Sequence, residues 1–402
     1  MAEEILKKVH LFGQDYIVKG SGGAAGGSGG GGLALTGGAY VGAEGGITST
    51  NRWLRFDFND PNHRSLVILG GTSFTIGENI VTIEETTSYN LADYLGEEGA
   101  DYYVFINAEG RVVANTIRTP AEGYMFIGQF HTLCNSVAAN TTAIIPMETG
   151  FPVGDEIIIM DYDKNTDLDF YNFYEKTVDA VNDGSYYSVV TVLHPLQGFN
   201  TGDILPESVC CLNFHPKCKN WDGMVYCNTL EKFVDIYLKS GTGRNTKSEY
   251  GAVHTVSRQW LNQQCDMQTV GKSMLTVSEF MQIAMGSNER TAITGARDWS
   301  TVGGHVDTSN RRMISFIGCE ECCGYLWQWN RNDADLSERD SVSIDDGRGL
   351  MGQSHDVFTS ILSGGYWGGS SSCGSRSFDG NHSWSTVDVG SGSRGITNLS
   401  IV

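Results

Sequence analysis

The residues best suited to chemistry in this chain are its cysteines, a run of alternating acids and a few histidines. The ten cysteines are Cys134, Cys210, Cys211, Cys218, Cys227, Cys265, Cys319, Cys322, Cys323 and Cys373. Cys319-Glu-Glu-Cys322 has the gap that lets two thiolates reach one tetrahedral zinc, and Cys210 with Cys227 could offer a second pair. No second C-x-x-C accompanies it, so buried free thiols that pack as small hydrophobes are the simpler reading. Asp161, Asp163, Asn165, Asp167 and Asp169 alternate as the oxygens of a calcium loop would. Thr166 stands where that loop needs glycine and Asn172 where it needs a bidentate Glu. A solvated acidic turn is therefore favoured, with Ca2+ as the alternative. His305, His355 and His382 have carboxylates nearby, yet no G-x-S-x-G, H-E-x-x-H or Walker A motif is present. The chain is read as a non-enzyme with no firm cofactor.

From Gly364 to Val402 the pattern changes. One anchor is Gly364-Gly365-Tyr366-Trp367 leading to Cys373-Gly374-Ser375-Arg376. The other is Gly392-Ser393-Arg394-Gly395 leading to Ile396, Leu399, Ile401 and Val402. Between the two arginines there is no Lys, Glu, Gln or Met. Only the very end shows the apolar alternation of a strand, so the stretch is read as a rigid frame displaying a loop surface. Tyr366, Phe378, His382 and Trp384 supply stiff contact area. Ser370, Ser372, Ser377, Asp379, Asn381, Thr386 and Asp388 supply adaptable hydrogen bonds, a division of labour also found in antibody loops. Trp367, Arg376 and Arg394 are read as structural, an indole body and guanidinium forks pinning loops to the frame. Trp384 fits either role.

Such a surface needs a scaffold, and composition says what kind. A chain of 402 residues has ample core for two or three domains. Its 51 glycines and 7 prolines, with abundant Thr, Val, Tyr and Ser, point to short strands and turns. A net charge of −20 argues against nucleic acid or an anionic membrane as the main partner. No apolar run reaches membrane-spanning length, so no membrane insertion is expected. The start, MAEEILKKVHLFGQDY, lacks the apolar core of a signal peptide, so synthesis in a cytoplasm is expected.

Residues 1–50 hold a short adhesive segment and then GSGGAAGGSGGGG from Gly20 to Gly32. No βαβ pattern surrounds these glycines, so a tether or assembly peptide is expected rather than a nucleotide loop. A β-rich domain is expected over 51–135, with strands at 53–58, 66–69 and 80–83. A hairpin joins 102–106 to 111–115 about Ala108-Glu109-Gly110, and a further strand covers 123–130. A β-rich intermediate region takes 136–229. The last domain, 230–402, reads as α+β. It has strands at 233–238, 314–317 and 325–329, and a helix over 255–268 ended by Gly271. A second helix follows the capping box Thr276–Glu279, with a Leu275–Phe280 staple and Gly286 at its end. Trp327 and Trp329 share one strand face and are expected to fill a core.

Taken in order, a series of short motifs emerges: Phe214, Pro216, Gly223-Met224, Asp235-Ile236-Tyr237-Leu238, Gly271-Lys272, Glu279-Phe280 and Ala284-Met285-Gly286. Then come Leu326-Trp327-Gln328-Trp329, Gly364-Gly365, Trp367, Gly374-Ser375-Arg376 and Arg394-Gly395. The series resembles the major tropism determinant family of phage receptor-binding proteins. More broadly it resembles the C-type lectin-fold variable proteins of diversity-generating retroelements. The resemblance implies an α+β C-type lectin-like C-terminal domain preceded by all-β domains. It also implies a homotrimer on a virion, other virion proteins meeting the N-terminal region, and a host cell-surface protein or glycan as ligand. That family rewrites adenines, typically in Asn codons, which never yields Lys, Glu, Gln, Met or Trp. Between Tyr366 and Ser391 only Trp367 and Trp384 break the rule, though a Gly/Ser-rich loop would lack the same residues.

Formylglycine-generating enzymes resemble the same fold, but their chemistry needs a cysteine pair gripping a metal, and Cys373 has no second cysteine near it in sequence. The Glu-Pro-Asn and Gln-Pro-Asp triplets of calcium-dependent lectins are absent. A virion-attached adhesin or fibre is the leading expectation, with a capsid or tail decoration protein as the alternative.

Overall fold

A computed structural model describes residues 6–11, 14–20, 52–139, 141–147, 157–158, 177–180, 188–295, 301–331, 342–345, 350–354 and 359–400. The glycine-rich stretch beyond Gly20, the acids from Asp161 to Asp169, His355, Ile401 and Val402 lie outside these residues.

In the first half, β-branched and aromatic runs parted by turn residues form antiparallel ladders. Leu54–Phe56, Ser65–Ile68 and Thr87–Asn90 make one sheet, and Thr72–Ile76 pairs with Asn79–Ile83. The expected hairpin is present. Asp101–Asn107 pairs with Val112–Asn115, and Gly110 sits at φ +76°, a left-handed conformation that costs glycine nothing. Tyr124–His131 lies on the other side of Asp101–Asn107, and Cys210–Cys211 closes that edge. Leu6–Leu11, Gln14–Gly20 and Ile157–Ile158 form one small sheet, and Thr142–Met147, Ser188–Leu193 and Thr177–Ala180 another.

Two further sheets build the second half. One runs His215–Pro216, Gly395–Ser400, Lys232–Asp235, Met224–Cys227, with Ser273–Met274 also on Gly395–Ser400. Met224–Cys227 and Lys232–Asp235 form a hairpin across positions 229 and 230, where the sequence suggests a boundary. The other runs Val342–Asp345, Leu350–Ser354, Gly374–Ser383, Thr359–Gly364, Trp327–Trp329, Ser391–Gly392.

Helix α1, Trp260–Thr269, begins later than its sequence pattern suggests. Thr255 N–H donates to Lys239 O (2.8 Å) and Ser257 N–H to Asp388 O (2.9 Å), which ties this segment to its neighbours before a helix can start. Helix α2, Val277–Ile283, has the capping box foreseen. Glu279 N–H donates to Thr276 Oγ1 at 3.1 Å, and Thr276 N–H to Glu279 Oε2 at 2.8 Å.

The strand expected at 314–317 does not form. Only Ile314 bridges, to Glu320, because Gly318 at φ +96° folds the chain back on itself. Ile314 and Phe316 plug the core instead.

One apolar cluster runs from Trp53 and Leu54 through Phe130, Tyr226 and Phe233 to Phe280 and Ile396. A smaller one gathers Met267, Met274, Trp327, Trp329 and Leu362, with Trp260 and Tyr366 packed against it. The two indoles of the Trp-Gln-Trp strand do fill a core together.

Candidate functional site

The display stretch is carried on a pinned frame. Arg394, fully buried, donates from Nη1 to Asp235 O at 2.7 Å and to Ile236 O, from Nη2 to Glu320 O, and from Nε to Gln328 Oε1 at 3.2 Å. Gln328 in turn donates to Cys322 O at 2.9 Å. The Asp235 carboxylate takes Lys272 Nζ at 2.5 Å and Gly395 N–H at 2.9 Å. A Cβ at Gly395 would lie 2.4 Å from that carboxylate, so glycine is required for the approach. The reading of Arg394 as structural is borne out: charge-assisted bonds to main-chain carbonyls tie the last strand to the 235–236 and 320–328 segments.

On this frame the display stretch is not mainly a loop, as its lack of apolar alternation suggested. Gly374–Ser383 is a strand, paired antiparallel with Thr359–Gly364. Backbone pairing suffices there because small and polar residues stack in the ladder without an apolar face. The register shifts between Ser360 and Leu362 and again between Ser363 and Gly364, where the partners jump from Phe378 to Gly374. Ser375, Arg376 and Ser377 therefore bulge from the ladder.

That bulge is tied down from below. Ser375 donates its N–H (2.8 Å) and its hydroxyl to Glu289 Oε1, and Gly374 leaves no room for a Cβ against Oε2. Burial lifts the Glu289 carboxyl to about 7, against the Ser375 bonds and the charges of Arg376 and Arg311, which pull it down.

The predicted contact residues divide. Ser370 and Trp384 are exposed, Ser370 at φ +42°. Tyr366, Ser372, Phe378, Asp379, His382, Thr386 and Asp388 are half-buried, and the side chain of Asn381 lies outside the description. Tyr366 stacks at 6.5 Å on Trp327, which anchors one side of it in the smaller core. His382 Nδ1 lies 3.6 Å from the Asp379 carboxylate, and its ring meets Trp329 edge-on at 6.3 Å. Ser377 differs from the expectation: it is buried, and its hydroxyl donates to Ser372 O within the bulge. Trp367 is half-buried, its N–H donating to Tyr325 O at 3.1 Å.

Val387 and Val389, exposed by 57% and 59%, and Leu261 in the first turn of α1 belong beside Trp384, whose carbonyl accepts the Trp260 N–H at 3.2 Å. The sequence reading passed over them. The Val-Asp-Val alternation signals an exposed strand-like segment, but alternation alone does not say which face meets water.

The Cys373 and Cys323 thiols lack the thiolate character of a reactive centre. Burial, with the Glu289 charge behind it, pushes Cys373 up to about 12, and Cys323 well above its ordinary value. A nucleophilic or metal-gripping cysteine needs the opposite shift. Cys322 alone shifts downward, where burial is outweighed by its bond to Cys319 and the Arg394 charge, but it and Cys319 are fully buried and unbridged. Among the described residues no group of three His, Cys, Asp or Glu side chains is placed to hold a metal ion. No helix among them is long and apolar enough to cross a membrane.

The β-rich body thus ends in a Trp-lined sheet pinned by a buried late arginine. Solved structures share this fold. The Major Tropism Determinant M1 variant superposes with TM-score 0.60 at 19% identity, over 89% of this chain and 86% of its own. The U1 variant does so with TM-score 0.58 at 19% identity, over 84% and 82%. The I1 variant gives 0.59 at 19%, over 87% and 84%. No protein-family model matches the sequence, and no curated protein matches it.

Proposed function

We propose that this chain is a virion-attached receptor-binding protein, an adhesin or fibre that recognises a bacterial surface molecule through the face carrying Gly374–Ser383 and the segment after it. The observation that carries this reading is the pairing of an exposed contact strip with a frame that meets it through main-chain bonds and not through the exposed side chains. Trp384, Val387 and Val389 are exposed, while the Arg394 bonds that hold the sheet are wholly internal. A fold shared with tropism determinants supports the role. The proposal extends to a homotrimer held on the virion through the N-terminal region, since three copies would multiply weak contacts through avidity. The ligand is a host protein or a glycan bound without calcium. On this reading the chain binds and does not catalyse.

The test is binding of the purified full chain to host bacterial cells, against a Trp384→Ala/His382→Ala double variant, with melting curves and mass run alongside. Binding by the parent and a loss of roughly tenfold or more in the folded variant support the proposal, since contact aromatics dominate such surfaces. Equal binding by both, or binding by neither, overturns it in favour of a capsid or tail decoration role.

A further inference from the structure

A second concentration of aromatic side chains lies on the Asp101–Asn107/Tyr124–His131 sheet, built from different strands than the display surface. Tyr103 and Phe126 come from adjacent antiparallel strands. Phe126 also meets Trp221 at 6.1 Å, and Trp221 stacks on His215 at 4.0 Å with planes 15° apart. Into this box the exposed stretch after Asn115 places Arg118. Its guanidinium carbon lies 5.4 Å from the Trp221 ring centre, 5.7 Å from Phe126 and 5.8 Å from Tyr103. Each distance is within the range at which a ring face holds a cation.

The box has an acidic wall. Asp222 Oδ1 accepts the Tyr103 hydroxyl at 2.9 Å, with Gln129 Nε2 at 3.5 Å. Gln129 is 2% exposed, and its amide oxygen has no hydrogen-bond partner among the described residues. An acceptor therefore stands unanswered beside the carboxylate. Arg118 is exposed, as is its neighbour Ile117 at 63%, and besides the rings it feels the Asp222 charge through space. Weak ring contacts on an exposed segment make the guanidinium an exchangeable occupant rather than a locked one.

We propose that this box is a second ligand site, accepting the guanidinium of an arginine on a protein partner, with Arg118 as the chain's own competing occupant. The chain's net charge of −20 draws cationic partners. Flat stacked rings favour guanidinium, which is planar and weakly hydrated, over the compact, strongly hydrated ammonium of lysine.

The experiment is a ligand-observed NMR titration of the full chain with N-acetyl-arginine amide, and with N-acetyl-lysine amide as comparator. Saturable binding of the arginine probe to the parent is expected. It tightens by roughly tenfold in Arg118→Ala, because a competitor that fills the box lowers apparent affinity by the free fraction. It is lost in Trp221→Leu, or in Phe126→Leu should the first variant melt early. The proposal is overturned by no binding to the parent, by equal binding of the lysine probe, by no gain in Arg118→Ala, or by unchanged binding once a ring is removed.

Discussion

The frame around Arg394 and the strip from Ser370 to Val389 are neighbours in sequence and opposites in how they satisfy their polar groups. In the frame the bonds are long-range: Arg394 to the 235, 236 and 320 carbonyls, Lys272 to Asp235, Ser393 Oγ to Gln263 at 3.0 Å. In the strip, apart from the Ser375 tether to Glu289 and a few main-chain carbonyls that accept from afar, they are local. Ser377 bonds to Ser372, Ser383 Oγ to Ser385 Oγ at 2.9 Å, Thr386 N–H to Ser383 O at 2.8 Å, and Ser391 Oγ to Asp388 O at 3.3 Å. A long-range bond makes one residue answerable for several segments at once. A local bond makes a residue answerable only for its own turn. Outside the Gly374–Ser375 tether to Glu289, exposed side chains in the strip such as Ser370 and Trp384 can therefore be exchanged without consulting the fold, which is what a recognition surface requires.

The sharpest way to break this contrast is at Arg394. Arg394→Met keeps an apolar stem but takes the guanidinium donors from the buried Asp235 and Glu320 carbonyls and from Gln328 Oε1, while Ile236 O keeps the Glu320 N–H at 2.8 Å. Each such group costs about 1–3 kcal/mol, so a total loss of about 4 kcal/mol or more is expected. That is a large share of the stability of an ordinary domain. Urea unfolding measures it directly, and a loss below about 1 kcal/mol would show that the frame is held by something else.

Glu289 is the joint between the two regions, and there the expected effect is smaller and depends on pH. Its ordinary value is 4.5, and in the folded chain burial lifts it to about 7. Between those values the folded protein holds a proton that the unfolded chain releases, so stability falls as pH rises. This contribution is complete below pH 4.5, declines through the window up to about 7, and is flat above it. Melting temperature should thus drop across that window in the parent. Glu289→Gln, which mimics the protonated acid and still accepts from Ser375, should lose that part of the slope. Identical slopes in the two proteins would remove Glu289 from the joint.

Much of the frame was legible because local chemistry decides it. Thr276 and Glu279 are spaced to cap each other whatever the rest of the chain does, and the Trp327/Trp329 period marks an apolar face by itself. Gly110 announces its turn in the same way. Where the sequence misled, a distant partner had decided. Residues 255–257 look helical, yet Lys239 and Asp388 accept the Thr255 and Ser257 N–H groups and Ser257 turns left-handed at φ +54°. Ser377 looks like a display hydroxyl, but a register jump against Ser363 and Gly364 turns it inward. Gly374–Ser383 forms a strand with no apolar alternation because its ladder comes from Thr359–Gly364. The Trp384–Val389 strip was half-read for a related reason: an indole draws attention as a contact residue, whereas valine looks like core.

The smallest expected effect lies in that strip, and it is the one that sharpens the comparison most. Val387→Ser with Val389→Ser removes two apolar side chains that are 57% and 59% exposed. Truly buried valines would cost about 1.5–3 kcal/mol each. Surface ones should change stability by no more than about 0.5 kcal/mol. Urea unfolding of the double variant at fixed concentration separates the two cases. A near-zero change places these valines in water in the folded chain, available to a ligand. A loss of about 2 kcal/mol or more that shrinks as both proteins are diluted would instead mean that a second copy covers them. The strip would then belong to the frame of an oligomer, and the exchangeable surface would shrink to the residues between Ser370 and Trp384.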